Sequence, residues 1–155
     1  RQYSFVAKQE LRSNFIARIF LSRLHTRFVE RFDLQKGVAD ARDLAKSACA
    51  GQSLIFFPEG TFHRMLGLHN FHMGAFIAAT DAGLPVVPVI LRGTRSKLRD
   101  NSWFLRRGNL AVVFGEPIQP KGADWATAVQ MRNEARRVIL QYSGEPDLAQ
   151  DELHV

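Results

Sequence analysis

The sequence predicts an α/β fold, with a layered mixed sheet flanked by helices. Short apolar runs typical of strands alternate along the chain with segments whose apolar residues recur at helical spacing. A length of 155 residues with 46% apolar residues suits one globular domain with its own hydrophobic core. We therefore expect one domain over residues 1–142, followed by an acidic tail over residues 143–155.

The strand candidates are short, and two of them are apolar at nearly every position. These two, residues 53–57 and 85–91, are expected to be covered on both faces, as in the centre of a sheet. The remaining candidates are residues 4–7, 27–31 and 111–114.

Helical spacing predicts helices over residues 8–24, 38–48 and 72–82, and a last helix that begins after Asp124. Aspartate is a favoured N-cap, and Gly83 stands where a left-handed residue ends a helix. The last helix is expected to bury one apolar face, made of Trp125, Ala128, Val129, Ala135, Val138, Ile139 and Tyr142.

Basic residues are concentrated in two segments of a chain whose net charge is +6. Residues 1–31 hold seven Lys or Arg against two Glu, and residues 92–107 hold six against one Asp. Such clusters favour an anionic partner, namely phospholipid headgroups, a phosphorylated substrate or nucleic acid, although a solvated surface is the alternative. Aromatic residues do not interleave with the clusters as base stacking requires, so we expect no nucleic acid.

The single cysteine, Cys49, permits no internal disulfide and is expected to be a small buried residue. The longest apolar run, residues 84–91, contains two prolines and is far shorter than the roughly 20 residues that span a bilayer. We expect neither a membrane-spanning helix nor a signal peptide in this sequence. Because the chain opens on Arg1 in mid-pattern, we also expect a segment upstream of it.

The most distinctive segment is FPEGT at residues 57–61, at the end of an apolar strand. Pro58 cannot continue a hydrogen-bonded ladder and Gly60 allows conformations that other residues resist, so the chain must turn there. Ligands of open α/β sheets bind at this carboxyl edge, where a turn can aim backbone N–H groups at an anion. Taken alone, a strand-end turn with a solvated Glu59 is an equal alternative.

Further blocks accompany this turn in a fixed order. They are FVAKQEL at residues 5–11, FVER at 28–31, FHMGAF at 71–76 and GLPVVPV at 83–89. In order and approximate spacing, the blocks resemble the lysophosphatidic acid acyltransferase (PlsC-like) family over roughly residues 4–120. Several blocks in register are far more specific than one short motif. The resemblance implies a glycerolipid acyltransferase-like fold.

The resemblance also implies an O-acyltransferase of phospholipid synthesis. It would move a fatty acyl group from acyl-CoA or acyl carrier protein to the hydroxyl of a lysophospholipid or glycerol phosphate. The expected location is peripheral, on the anionic cytoplasmic face of the membrane, and no cofactor is implied beyond the thioester co-substrate. In the family, a histidine base oriented by the aspartate of a His-x4-Asp motif deprotonates the acceptor hydroxyl, which attacks the thioester directly.

By position, the resemblance assigns the acceptor's phosphate and glycerol end to a small set of residues: Lys8, Arg31, Glu59, Gly60 and Thr61. Phe62 stands where the family usually has an arginine, and Arg64, two positions on, is expected to reach the same phosphate. His72 likewise stands where the family commonly has a lysine.

No histidine of the chain has an aspartate five positions on. In the family the motif precedes the block at residues 5–11, so we expect it before Arg1 and expect no catalytic residue within the chain. His25 with Glu30 is the alternative base pair. A metal site of His63, His69 and His72 lacks a cysteine or carboxylate ligand, so no metal is expected. The alternative function is a non-catalytic, basic lipid-binding or membrane-binding module of the same fold.

Twelve phenylalanines are available either for the core or for an acyl groove. We expect Phe56 and Phe76 in the core. Phe62 and Phe71 are candidates for the lining of a pocket.

The missing motif generates the first prediction: the 155-residue chain does not turn over acyl-CoA, whereas a form that also carries an upstream His-x4-Asp does. General-base catalysis by a positioned histidine typically contributes about 10²–10⁴-fold. Thiol release from acyl-CoA, with lysophosphatidic acid as acceptor, measures both forms. Comparable turnover by the two would place the base within residues 1–155 and make His25 the first residue to substitute.

Overall fold

The computed structural model describes residues 3–8, 27–29, 43–60, 66–94 and 107–149. Residues 43–49 are helical. The named elements are β1 (Tyr3–Lys8), β2 (Arg27–Val29), β3 (Ser53–Phe56), α1 (Gly74–Ala82), β4 (Val89–Arg92), β5 (Ala111–Phe114) and α2 (Trp125–Ser143). The mixture of helices and small sheets confirms the predicted α/β class. Lys8, the first residue of the helix predicted over residues 8–24, belongs to β1 instead, and residues 9–24 lie outside the described residues.

The first sheet has β1 between β2 and β3, parallel to both. Lys8 pairs with Val29 on one side, and Val6 pairs with Phe56 on the other. Because parallel strands run in one direction, the carboxyl ends of all three lie at the same edge of the sheet. The predicted strands at residues 4–7 and 27–31 are thus confirmed over the described residues.

Burial of β3 differs from the prediction. Among the described strands β3 pairs with β1 alone, and its four residues are half-buried. The expectation of a central strand covered on both faces was wrong. Apolar composition indicates that a strand can be buried. The position of that strand in the sheet depends on pairing with segments that are distant in sequence.

The second sheet is the antiparallel pair of β4 and β5, in which Val89 lies opposite Phe114. The predicted strand at residues 85–91 begins only at Val89, because Pro85 and Pro88 have no N–H to donate to a ladder. An isolated bridge between Val86 and Ile118 is the only pairing of residues 85–88 that the described part of the chain contains.

The faces of β4 also differ from the prediction. Ile90 is buried, whereas Val89 and Leu91 on the opposite face are exposed. The apolar strand therefore packs on one side only. On the other side, β5 presents the similarly exposed Val112 and Phe114 at the positions that pair with Leu91 and Val89.

The larger hydrophobic cluster lies where α1 packs against α2. Thr80 on α1 donates a hydrogen bond of 3.5 Å from its Oγ1 to Met131 Sδ on α2. The buried members of the cluster are Leu68, Phe71, Phe76, Ala128, Met131 and Ala135. A smaller cluster joins β1 to the helical segment 43–49 and α1 through Val6, Leu44 and Ala78.

The buried apolar face of α2 is shorter along the helix than predicted. Ala128 and Ala135 are buried, but Trp125 is 62% exposed and Tyr142 is also exposed. The nine residues of α1 extend about 14 Å, whereas the nineteen of α2 extend about 28 Å. A short partner cannot cover both ends of a long helix, so the terminal aromatic side chains of α2 are left outside the contact.

The predicted start of α2 and the predicted end of α1 are confirmed, although α1 begins at Gly74 rather than at residue 72. Asp124 caps α2 by accepting a 2.8 Å hydrogen bond from the Thr127 N–H, and hydrogen bonding with Thr127 lowers the pKa of Asp124. Gly83 ends α1 in the left-handed region, at φ +64°. Cys49, by contrast, is exposed, because its helical segment ends at the surface; its Sγ lies 3.8 Å from the Ala82 carbonyl oxygen.

The second prediction compares the same substitution, phenylalanine to alanine, at a buried and at an exposed position. Phe76 is 2% exposed and Phe114 is 70% exposed. Phe76→Ala leaves a cavity between α1 and α2 and should lower the free energy of unfolding by about 3–5 kcal/mol. Phe114→Ala should cost less than about 1 kcal/mol, the span of strand propensity. Chemical denaturation measures both, and equal losses would contradict the assignment of the core.

Candidate functional site

The chain turns immediately after β3, as predicted. The Gly60 N–H donates a 3.0 Å hydrogen bond to the Phe57 carbonyl oxygen, which closes the turn. Gly60 has φ +74°, a conformation that residues with a Cβ rarely adopt. The requirement for glycine at this position is therefore steric. Thr61 lies outside the described residues.

A second segment, residues 69–72, is hydrogen-bonded to this turn. The His72 N–H donates to the Pro58 carbonyl oxygen at 2.9 Å. The His69 N–H donates to Glu59 Oε2 at 3.1 Å. The Glu59 side chain is half-buried, and this backbone donor holds one of its two carboxylate oxygens. Glu59 therefore has a backbone partner within the protein as well as contact with solvent.

The topology places this turn beside the ends of two other strands. β1 ends at Lys8 and β2 at Val29, at the same edge as the turn after Phe56. The described ends of β1 and β2 thus lie at the same edge of the sheet as residues 57–60. The side chain of Lys8 lies outside the described residues, as do Arg31 and Arg64 in full.

Aromatic residues near the turn differ in their surroundings. Phe71 was a pocket candidate, but it is buried and stacks on Phe76, with ring centroids 6.5 Å apart. Phe71 therefore belongs to the core. Phe57 is 58% exposed and stacks on Phe5 at 6.4 Å, which gives the sheet edge an open aromatic surface. Phe62 lies outside the described residues.

Sequence reasoning missed a further group of residues behind the turn. Arg136 on α2 donates from Nη2 to the Leu68 carbonyl oxygen at 2.7 Å and from Nε to the His69 carbonyl oxygen at 3.2 Å. Its two Nη atoms also pair with the carboxylate of Asp147. No local pattern indicates these contacts, because 68 residues separate Arg136 from Leu68.

The charge on Asp147 is stabilised by its neighbours. Hydrogen bonds from the Arg136 guanidinium and the Ala149 N–H lower the pKa of Asp147 below its ordinary value of 3.8. A lowered pKa in the folded state means that folding favours the carboxylate. The pair therefore stabilises the fold above pH 3.8, and this contribution is lost as the pH falls through the lowered pKa.

In the part of the chain that the structure describes, no group of three or more His, Cys, Asp or Glu side chains is placed to hold a metal ion. No helix among the same residues has the length and apolar composition to cross a membrane.

A parallel sheet with a glycine turn and a fixed carboxylate at its carboxyl edge defines an α/β ligand-binding domain. The family described as Acyltransferase matches residues 1–92, which is more than half of the chain. The chain therefore belongs to the acyltransferase family. This match confirms the resemblance seen in the motif blocks.

Individual relatives agree with the family. A chloroplastic 1-acyl-sn-glycerol-3-phosphate acyltransferase of Arabidopsis thaliana is 38% identical over 92 residues, which are 59% of this chain and 24% of that protein. A lyso-ornithine lipid O-acyltransferase of Pseudomonas aeruginosa is 26% identical over 159 residues, covering 92% of this chain and 61% of that protein. The chain thus spans between about a quarter and three fifths of the length of these two relatives.

A solved structure shows the same fold. The crystal structure of the 1-acyl-sn-glycerophosphate acyltransferase PlsC from Thermotoga maritima superposes with a TM-score of 0.67 at 24% identity. The superposition covers 90% of this chain and 55% of that one. The α/β architecture is therefore shared over nearly the whole chain.

The geometry of the turn generates the third prediction. Glu59→Gln keeps an oxygen for the His69 N–H and should lower the free energy of unfolding by about 1 kcal/mol or less. Glu59→Ala removes the acceptor from a half-buried donor and should cost about 1–3 kcal/mol. Chemical denaturation of the two variants separates the contribution of the hydrogen bond to stability from the contribution of the charge. Equal stability of Glu59→Ala and the unsubstituted protein would show that the bond contributes nothing.

Proposed function

We propose that the chain is the greater part of the domain of an O-acyltransferase of phospholipid synthesis. The domain transfers a fatty acyl group from acyl-CoA or acyl carrier protein to the hydroxyl of a lysophospholipid or glycerol phosphate. The observation that most supports this proposal is the convergence of the Glu59–Gly60 turn with the ends of β1 and β2 at one sheet edge. That edge is where an open α/β sheet binds its ligand.

The residue types that the resemblance assigns to the acceptor suit its two polar parts. Arg31, Lys8 and Arg64 are cations that can bind a phosphate by charge-assisted hydrogen bonds. The Glu59 carboxylate accepts hydrogen bonds and repels phosphate, so its role is with the glycerol hydroxyls. The Gly60 turn lets the backbone approach the ligand closely, and the Thr61 hydroxyl completes the set.

The reaction is a direct displacement at the thioester. The acceptor oxygen bonds to the carbonyl carbon, the carbon–sulfur bond breaks, and the hydroxyl proton ends on the departing thiol. A histidine base held by its aspartate removes that proton, and this pair belongs to a His-x4-Asp motif outside residues 1–155. The chemistry needs no cofactor other than the thioester co-substrate.

Membrane association at the cytoplasmic face completes the proposal. The basic segments at residues 1–31 and 92–107 suit anionic headgroups, and each Lys or Arg near such a surface contributes about 1 kcal/mol. Peripheral binding would place the domain where its lipid acceptor resides. The rival function, a non-catalytic lipid-binding module, shares this surface but predicts no turnover in any form of the protein.

The acceptor class has a second candidate, because Phe62 stands in place of the usual arginine. A weakened phosphate site would favour a lysolipid without a phosphomonoester. One relative is named as a lyso-ornithine lipid O-acyltransferase. Acyl transfer to lysophosphatidic acid and to lyso-ornithine lipid, measured side by side, distinguishes the two acceptors.

The fourth prediction tests the phosphate contact in a catalytically active form of the protein. Arg31→Ala should raise the KM for lysophosphatidic acid about tenfold or more and leave the KM for acyl-CoA nearly unchanged, since a charge-assisted bond to the acceptor is lost. Lys46→Ala, which removes an exposed cation of the helical segment 43–49, is the control and should change neither constant. An unchanged acceptor KM in folded Arg31→Ala would give Arg31 a structural role.

A further inference from the structure

A single peptide group links Arg136 to the candidate site. The Leu68 carbonyl oxygen accepts the 2.7 Å hydrogen bond from Arg136 Nη2. The N–H of the same peptide group, which belongs to His69, donates to Glu59 Oε2 at 3.1 Å. A peptide group is planar, so the direction of its carbonyl sets the direction of its N–H. Whatever orients Leu68 O therefore also orients the donor that holds Glu59.

The charge of Arg136 acts through the same peptide group. A cationic donor on a carbonyl polarises the peptide and makes its N–H a stronger donor, as in other hydrogen-bond chains. The effect matters most away from water, and the side chain of Arg136 is only 14% exposed. The Glu59 carboxylate is thus held by a polarised N–H.

The segment after α2 keeps this arrangement in place. The Leu68 N–H donates to the Pro146 carbonyl oxygen at 2.8 Å, and the Leu148 N–H donates to Leu68 O at 3.2 Å. The Gly67 N–H donates to Glu145 Oε2 at 2.7 Å. A side chain at Gly67, where φ is +139°, would overlap Leu148. Residues 145–148 therefore pack closely along residues 67–68.

Asp147 in turn holds Arg136. Both Nη atoms of the guanidinium pair with its carboxylate, in the bidentate geometry that fixes an arginine most firmly. This leaves Nε and Nη2 aimed at the two carbonyl oxygens of residues 68 and 69. The neighbouring Arg137 differs, since it is 63% exposed and pairs with Glu134 on its own helix. Exposed ion pairs of that kind contribute little to the stability of the fold.

We propose that Arg136, held by Asp147, is a positioning residue that fixes the 68–69 peptide and through it the Glu59 carboxylate. The inference rests on the proposed role of Glu59 in binding the acceptor. Because Arg136 acts through Glu59, which is proposed to bind the acceptor, its loss should change acceptor binding rather than the chemical step. It lies outside the family match at residues 1–92, and no motif of the sequence identifies it.

The structural part is tested by amide hydrogen exchange on the 155-residue chain. Arg136→Ala should speed exchange of the His69 amide about tenfold or more, because a charge-assisted bond is worth at least one factor of ten. Arg137→Ala is the matched control, a truncation of the same residue type one position on, and should leave His69 unchanged. Arg136→Lys keeps the positive charge but loses the planar fork that pairs with both oxygens of Asp147, so it should restore only part of the protection.

The functional part uses a catalytically active form of the protein, at a temperature where circular dichroism shows every variant folded. Arg136→Ala should raise the acceptor KM several-fold and leave the donor KM unchanged. Asp147→Ala should have a smaller effect of the same kind. The double variant should be no worse than Arg136→Ala alone, because the two residues act through one contact.

Three outcomes would overturn the inference and one would support it. Unchanged His69 exchange in Arg136→Ala would overturn the link itself. Faster exchange with an unchanged acceptor KM would overturn the positioning role if Glu59→Gln does raise that KM. If neither variant changes the acceptor KM, the role of Glu59 fails, and the inference fails with it. Faster exchange, a raised acceptor KM and partial rescue by lysine would together support it.

Discussion

Parallel pairing on both sides of β1 is the constraint from which the rest of the structure follows. A parallel neighbour can be reached only by a crossover of a dozen or more residues. Residues 9–26 and 30–52 connect the three strands, and both connections satisfy that requirement. Each strand then ends at the same edge, where the chain must leave the sheet. The carboxyl ends of three strands that are distant in sequence therefore lie side by side.

Apolar packing and hydrogen bonding have different roles around that edge. The contact of α1 with α2 buries Phe76, Met131 and their neighbours, and this apolar cluster brings residues 66–73 to the back of the turn. The turn itself is held by hydrogen bonds from backbone groups, one of which fixes an oxygen of the Glu59 carboxylate. Apolar burial thus determines where the segments meet, while directional bonds determine how the carboxylate points.

Part of the fold could be predicted from short stretches of the sequence. The Asp124 cap, the left-handed glycines and the strands at residues 3–8 and 111–114 follow from properties of a few adjacent residues. Burial was predicted less well, because exposure of Trp125 or Cys49 depends on how far a partner element extends. The contact of Arg136 with Leu68 left no trace in the sequence pattern, since neither its spacing nor its residue types are distinctive.

The link between Arg136 and Glu59 runs through main-chain atoms, and this has an evolutionary consequence. A guanidinium that recognises carbonyl oxygens does not read the side chains of the residues that bear them. The side chain of residue 69 can therefore change without breaking the link, whereas Leu68 is also constrained by the core, and Gly67, Arg136 and Asp147 can change only together with their surroundings. Selection on the site would then be visible far from its motif, in the last helix and the acidic residues beyond it.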